Sequence, residues 1–187
     1  MVSLDPLSRP DLDLLPAIEV LHRHQVRWVM TGSLVLAAYG ARLIPGDLDI
    51  TPALDPGNLE AIATVVSEVE AIPLHDPDWP KCPPLDWHYR WSPRPASVEN
   101  LDHLMVTTVG RLDVVPRLCG TYEELAPNAV SLDVGGLEVF VADPTSVLDR
   151  LEGRTRSKDR DRQSEIQRVR DAVESGTLKL AGLDHLT

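Results

Sequence analysis

The alternation Asp47-Leu48-Asp49-Ile50-Thr51 constrains this chain more than any other stretch of it. Side chains of a β-strand point to opposite faces in turn, so two acids one residue apart stand on the same side while Leu48 and Ile50 enter a core. The spacing predicts a half-buried strand with both carboxylates on its open face. Upstream, residues 26–30 read as a short buried strand that ends at Thr31-Gly32-Ser33 and leads into a compact apolar helix over residues 34–39, closed by Gly40. A strand, a small-residue turn and a helix together present backbone N–H groups that suit phosphate. The segment lacks the Gly-Lys-Ser/Thr of a Walker loop. A third acid, Asp113, follows Gly110-Arg111-Leu112 at the start of a later predicted strand.

The rest of the chain mixes both periods. Leu14, Leu15, Ile18 and Leu21 recur at three- and four-residue steps and predict an N-terminal helix within residues 1–25. Asp55-Pro56 supplies an N-cap and a first-turn proline for a helix to about residue 70, with Leu59, Ile62, Val66 and Val69 on its core face. Proline is dense between residues 73 and 95, where Trp79, Trp87 and Trp91 are interspersed, and an irregular loop is expected there. Residues 101–109 and 111–115 read as paired strands about Gly110, and residues 122–125 as a helical turn. Residues 130–134 and 137–141 read as a hairpin whose Gly135-Gly136 supplies positive φ. Asp143-Pro144 opens a short helix to residue 151, and Ser157 a longer one from about Lys158 to Ser175, ended by Gly176. Strands and helices do not alternate strictly, so the expected class is α+β: a mixed sheet flanked by helices, in one domain over residues 1–187, with a sheet core at 26–142 and C-terminal helices at 143–176.

Composition narrows the function classes. A net charge of −11 disfavours general binding to nucleic-acid backbones, and four Trp, three Tyr and one Phe are too few for stacking on many bases. The charge is uneven, since residues 150–170 hold eight basic side chains against four acids. That segment is either a solvated helix face or a cationic wall beside the acids. Cys82 and Cys119 have no zinc-like spacing and are read as reduced thiols, and His75, His88 and His103 are assigned core or surface roles. With neither a signal-like apolar region near the N-terminus nor a membrane-spanning stretch, a cytoplasmic location is expected.

These residues resemble the DNA polymerase β-like nucleotidyltransferase superfamily. Its motif is a hydrophobic residue, Gly, then Gly or Ser, a gap, Asp-hydrophobic-Asp, and a third carboxylate on a later strand. Here the pattern runs Met30-Thr31-Gly32-Ser33, a gap of thirteen residues, Asp47-Leu48-Asp49-Ile50 and Leu112-Asp113-Val114. Val109-Gly110-Arg111-Leu112-Asp113, Tyr122-Glu123-Glu124-Leu125, Gly135-Gly136 and Ser157-Lys158-Asp159-Arg160 follow in the order of small bacterial stand-alone members, among them the AbiEii-like and MenT-like toxins of toxin–antitoxin pairs. Two positions depart from the pattern. Pro45 stands where many toxin-like members carry Thr or Ser, and Asp149-Arg150-Leu151 where many relatives carry a lysine in the penultimate helix.

The resemblance implies a nucleotidyltransferase fold and the transfer of a nucleoside monophosphate from an NTP to an acceptor hydroxyl. It implies Asp47, Asp49 and Asp113 as catalytic residues and as ligands of Mg2+ or Mn2+. It implies Gly32 and Ser33 at the terminal phosphates, with Arg42, Arg150 or Lys158 facing the nucleotide's charge. The implied partners are an NTP, an acceptor such as a tRNA end or a protein, and a cognate antitoxin; no membrane is implied. Two other readings stand beside it: a small-molecule enzyme acting on a cationic antibiotic, which the acidic bulk would attract, and an inactive nucleotide-binding module.

Overall fold

The computed structural model describes residues 4–151 and 162–186. The order of elements is α1 (Leu14–Arg23), β1 (Trp28–Thr31), α2 (Ser33–Ala38), β2 (Leu48–Pro52), α3 (Pro56–Glu68), β3 (Ile72–Pro73), α4 (Leu85–Arg90), α5 (Val98–Leu101), β4 (Leu104–Thr107), β5 (Gly110–Val114), α6 (Tyr122–Leu125), β6 (Val130–Val134), β7 (Leu137–Val141), α7 (Pro144–Leu151) and α8 (Gln163–Glu174). The class is α+β. Among the described residues, seven strands form one mixed sheet in the order β3-β4-β5-β2-β1-β7-β6. The pairs β1–β2, β3–β4, β4–β5 and β6–β7 are antiparallel, while β2–β5 and β1–β7 are parallel.

Local chemistry sets most of these boundaries. Asp55 caps α3 by accepting from the Asn58 N–H, Pro56 occupies the first turn, and Leu59, Ile62, Val66 and Val69 are all buried. A capping box joins Thr121 and Glu124 at the start of α6. Gly135 and Gly136, at φ +61° and +85°, turn the β6–β7 hairpin, both with the positive φ that a type I′ turn requires at its two central residues. On α1 the residues Leu14, Ile18 and Leu21 are buried, and they join Met30, Ile50, Leu36 and Ile62 in one apolar cluster around the sheet. β2 is buried along its whole length, as befits a strand at the middle of the sheet.

Several expectations are corrected. The strand expected over 101–109 is only Leu104–Thr107, because Ser97 caps the short helix α5 through the Asn100 N–H and takes the residues before it. The stretch 73–95 is not wholly irregular: it contains α4 and is pinned through Trp91, whose Nε1–H donates to both the backbone carbonyl and Oδ1 of Asn100 at 3.2 and 3.1 Å. The last helix begins at Gln163, and the expected cap at Ser157 lies outside the described residues. Among the described residues, no helix is long and apolar enough to cross a membrane.

Candidate active site

β1 delivers Thr31 to the middle of the sheet, opposite Asp49 of β2. The next residue, Gly32, has φ +69° and ψ −150°, a conformation that residues with a Cβ avoid. A Cβ on Gly32 would lie 1.9 Å from Asp49 Oδ2. Glycine is thus required here twice, by its backbone angles and because a carboxylate rests against its bare Cα. Asp49 itself is only 9% exposed, and its carbonyl accepts from Thr31 Oγ1 at 3.4 Å.

β5 runs parallel to β2 on the other side, and its register sets Asp113 directly opposite Asp49. Residues in register on neighbouring strands project from the same face, so these two acids share one face although 64 positions separate them. Asp47 immediately precedes β2, and Asp47, Asp49, Asp113, Gly32 and Ser33 line one cavity of about 190 Å³.

Basic residues reach the same cavity from the C-terminal helices. Arg150 of α7 lines it, with Nε–H donating to the Leu118 carbonyl at 2.9 Å, as does Arg162, whose Nη2–H donates to the Ile44 carbonyl at 3.3 Å. Arg42 is placed elsewhere. It is exposed and absent from the cavity wall, and its backbone N–H donates to Glu165 Oε2 at 2.7 Å, tying the loop after α2 to α8. Lys158 lies outside the described residues.

Two features had no signal in the spacing of the acids. Arg111 is two residues before Asp113 on β5, and its guanidinium packs on Gly46, where a Cβ would lie 2.2 Å from Nη2. The Arg111 Nε is buried and has no hydrogen-bond partner among the described residues. Gly46 is therefore held bare by a cation next to Asp47, and Pro45 before it is buried and brings no hydroxyl. Cys119 lines the cavity beside Gly32 and Asp49. Burial pushes its thiol up to about 11 from 9.0, and the Asp49 charge adds to this while the Gly32 N–H and Arg150 oppose it. Cys119 is consequently a neutral, weakly reactive group at neutral pH. Only its position six residues past Asp113, on the loop leaving β5, could have suggested it.

The donor set is chemically consistent with a hard cation. Carboxylate oxygens on adjacent strands suit magnesium or manganese, which prefer oxygen ligands, while a nearby arginine pair and a turn of backbone N–H groups suit phosphate oxygens. No protein-family model matches the chain, and no curated protein matches it in sequence.

Proposed function

We propose that the protein is a metal-dependent nucleotidyltransferase that moves a nucleoside monophosphate from an NTP to an acceptor hydroxyl. The observation that carries this reading is the register of Asp49 with Asp113 across parallel strands, in the same cavity wall as Asp47 and the Gly32-Ser33 turn. Asp47, Asp49 and Asp113 are the residues that would hold Mg2+ or Mn2+. Such ions would supply charge neutralisation at the triphosphate and a more acidic acceptor hydroxyl. Gly32 and Ser33 place N–H groups and one hydroxyl at the terminal phosphates, and Arg150 and Arg162 neutralise negative charge as pyrophosphate departs. Asp113, the acid on the strand farthest from the turn, orients the acceptor and takes its proton. Sinking Asp49 against Gly32 fixes one carboxylate without a flexible side-chain search, which reduces the entropy lost on binding.

The fold is read as the nucleotidyltransferase fold on the same ground, since it sets two acids on β2 and its approach, and the third on the parallel neighbour. A tRNA end or a protein is the proposed acceptor, and an antitoxin the proposed partner. The test is incubation of the full chain with labelled NTPs, magnesium, total tRNA and protein extract. Label transferred to either acceptor and lost in Asp49→Asn and Asp113→Asn, with circular dichroism unchanged, supports the proposal. Binding of NTP without transfer to any acceptor, including cationic antibiotics, identifies an inactive nucleotide-binding module instead.

A further inference from the structure

The proline- and tryptophan-rich stretch between β3 and β4 brings together three side chains that lie far from the cavity in sequence and in chemistry. His75 Nδ1 and His88 Nε2 are 3.1 Å apart, Cys82 Sγ is 3.3 Å from the first and 3.7 Å from the second. Three such atoms define a point about 2.0 Å from each. Zinc bonds imidazole nitrogen at about 2.0–2.1 Å and thiolate sulfur at about 2.3 Å, and at a tetrahedral angle this sets edges of about 3.3 Å between nitrogens and about 3.6 Å between nitrogen and sulfur. The observed nitrogen–nitrogen edge, 3.1 Å, is slightly shorter than this, and the two nitrogen–sulfur edges, 3.3 and 3.7 Å, bracket theirs.

The surroundings orient two of the three atoms. His88 Nδ1 lies 2.9 Å from the Pro73 carbonyl and Nε2 lies 3.3 Å from the Pro83 carbonyl; a carbonyl can only accept, the closer of the two is at Nδ1, and the tautomer with its proton there turns the Nε2 lone pair to the cluster. A carbonyl orienting the far nitrogen of an imidazole is the usual outer support of a metal-bound histidine. Cys82 Sγ accepts from the Asp76 N–H at 3.3 Å, which fixes the sulfur's position beside the two imidazoles. His88 is 2% exposed, so a lone pair directed inward there is shielded from water. Its ring is held edge-on by Trp87 and by His75, with centroids 5.0 and 4.9 Å away.

We propose that His75, Cys82 and His88 form a zinc site that organises this stretch, separate from the carboxylate cavity and suited to a softer ion. Soft and borderline donors, two imidazoles and one thiolate, select zinc over magnesium. On binding, the Cys82 thiol proton passes to solvent, one sulfur–metal and two nitrogen–metal bonds form, and water fills the remaining position. The site ties together the end of β3, the 79–82 turn and α4, which are short pieces with little core of their own.

The experiment is metal analysis of the purified full chain, followed by cobalt titration of the metal-free protein. The expected result is one zinc per chain. With cobalt, an intense four-coordinate absorption and a thiolate-to-cobalt charge-transfer band should appear. Cys82→Ser should abolish the charge-transfer band and weaken cobalt binding at least tenfold, whereas Cys119→Ser should leave both unchanged. Because His88 is buried and its replacement can unfold the stretch, His75→Gln serves as the second ligand variant, with the same tenfold weakening expected. Absence of stoichiometric zinc or cobalt binding overturns the proposal and leaves a hydrogen-bonded His–Cys–His cluster. A charge-transfer band that survives Cys82→Ser overturns it equally. Magnesium-dependent nucleotide transfer can succeed or fail without altering either outcome.

Discussion

Gly32 carries more of the candidate site than its size suggests. Its backbone sits at φ +69° and its Cα is the surface on which the Asp49 carboxylate lies. Gly32→Ala should cost about 3 kcal/mol of stability, from backbone strain and displacement of Asp49 together. Gly136→Ala is the matched control, since Gly136 has φ +85° and open space where its Cβ would go. That variant should cost only about 1 kcal/mol. Urea denaturation of the two variants measures the difference. In the double variant Gly32→Ala/Asp49→Ala part of the Gly32 penalty should be recovered, because the atoms nearest the new methyl are gone. Cys119 yields a second outcome. A thiol raised to about 11 should alkylate slowly at neutral pH and faster as pH climbs toward that value. Mass spectrometry after timed iodoacetamide exposure in Cys82→Ser reports it.

Among the elements, the junction of α8 with the loop after α2 depends on one acid. Glu165 accepts from the Arg42 backbone N–H and from Arg168, and these contacts, the backbone one foremost, hold its carboxyl below the usual 4.5. A folded value lower than the unfolded one means that the stabilisation is present above the ordinary glutamate range and is lost as pH falls through the folded value. Glu165→Gln should therefore lower the urea midpoint at neutral pH, and the gap from the parent should close under acid. The elements that the sequence announced are those with clear punctuation at a start, a turn or both ends. Asp55-Pro56 marks α3, Gly135-Gly136 the hairpin, and Gly32 and Gly40 bracket α2. α4 was hidden because prolines on both sides mask a six-residue helix that tertiary packing stabilises. The period of two that placed Asp47 and Asp49 on one side is local and legible, whereas the pairing of Asp49 with Asp113 is a property of sheet register. The His75–Cys82–His88 cluster was invisible for a related reason. Gaps of six and five residues match no familiar spacing, and only the folded stretch brings the three together.

At the level of the whole molecule, the N-terminal segment acts as a strap across the stretch between β3 and β4. The His75 N–H donates to the Pro6 carbonyl at 2.8 Å, Arg9 Nη2–H donates to the His75 carbonyl at 3.1 Å, and the Asp13 N–H donates to the Val109 carbonyl at 3.1 Å. A Cβ on Gly110 would lie 2.6 Å from the Asp11 carbonyl oxygen, so the segment is in close contact with the β4–β5 turn. Deleting residues 1–9 should leave far-ultraviolet dichroism nearly unchanged, because no sheet strand is removed. It should also speed trypsin cleavage after Lys81 and Arg90 several-fold, as local opening of the stretch becomes easier. Gel electrophoresis over a time course of digestion checks this.

The parallel pairing of β2 with β5 also bears on how the protein is made. The chain leaves β2 at Pro52 and does not return beside it until Gly110, after α3, α4, α5, β3 and β4 have been laid down. A ribosome-bound chain that stops short of that return already carries Asp47 and Asp49, with Thr31 of β1 to pair with, but has not yet made Asp113. Synthesis therefore separates the making of the first two acids from that of the third in their cavity wall, and α7 with Arg150 arrives later still.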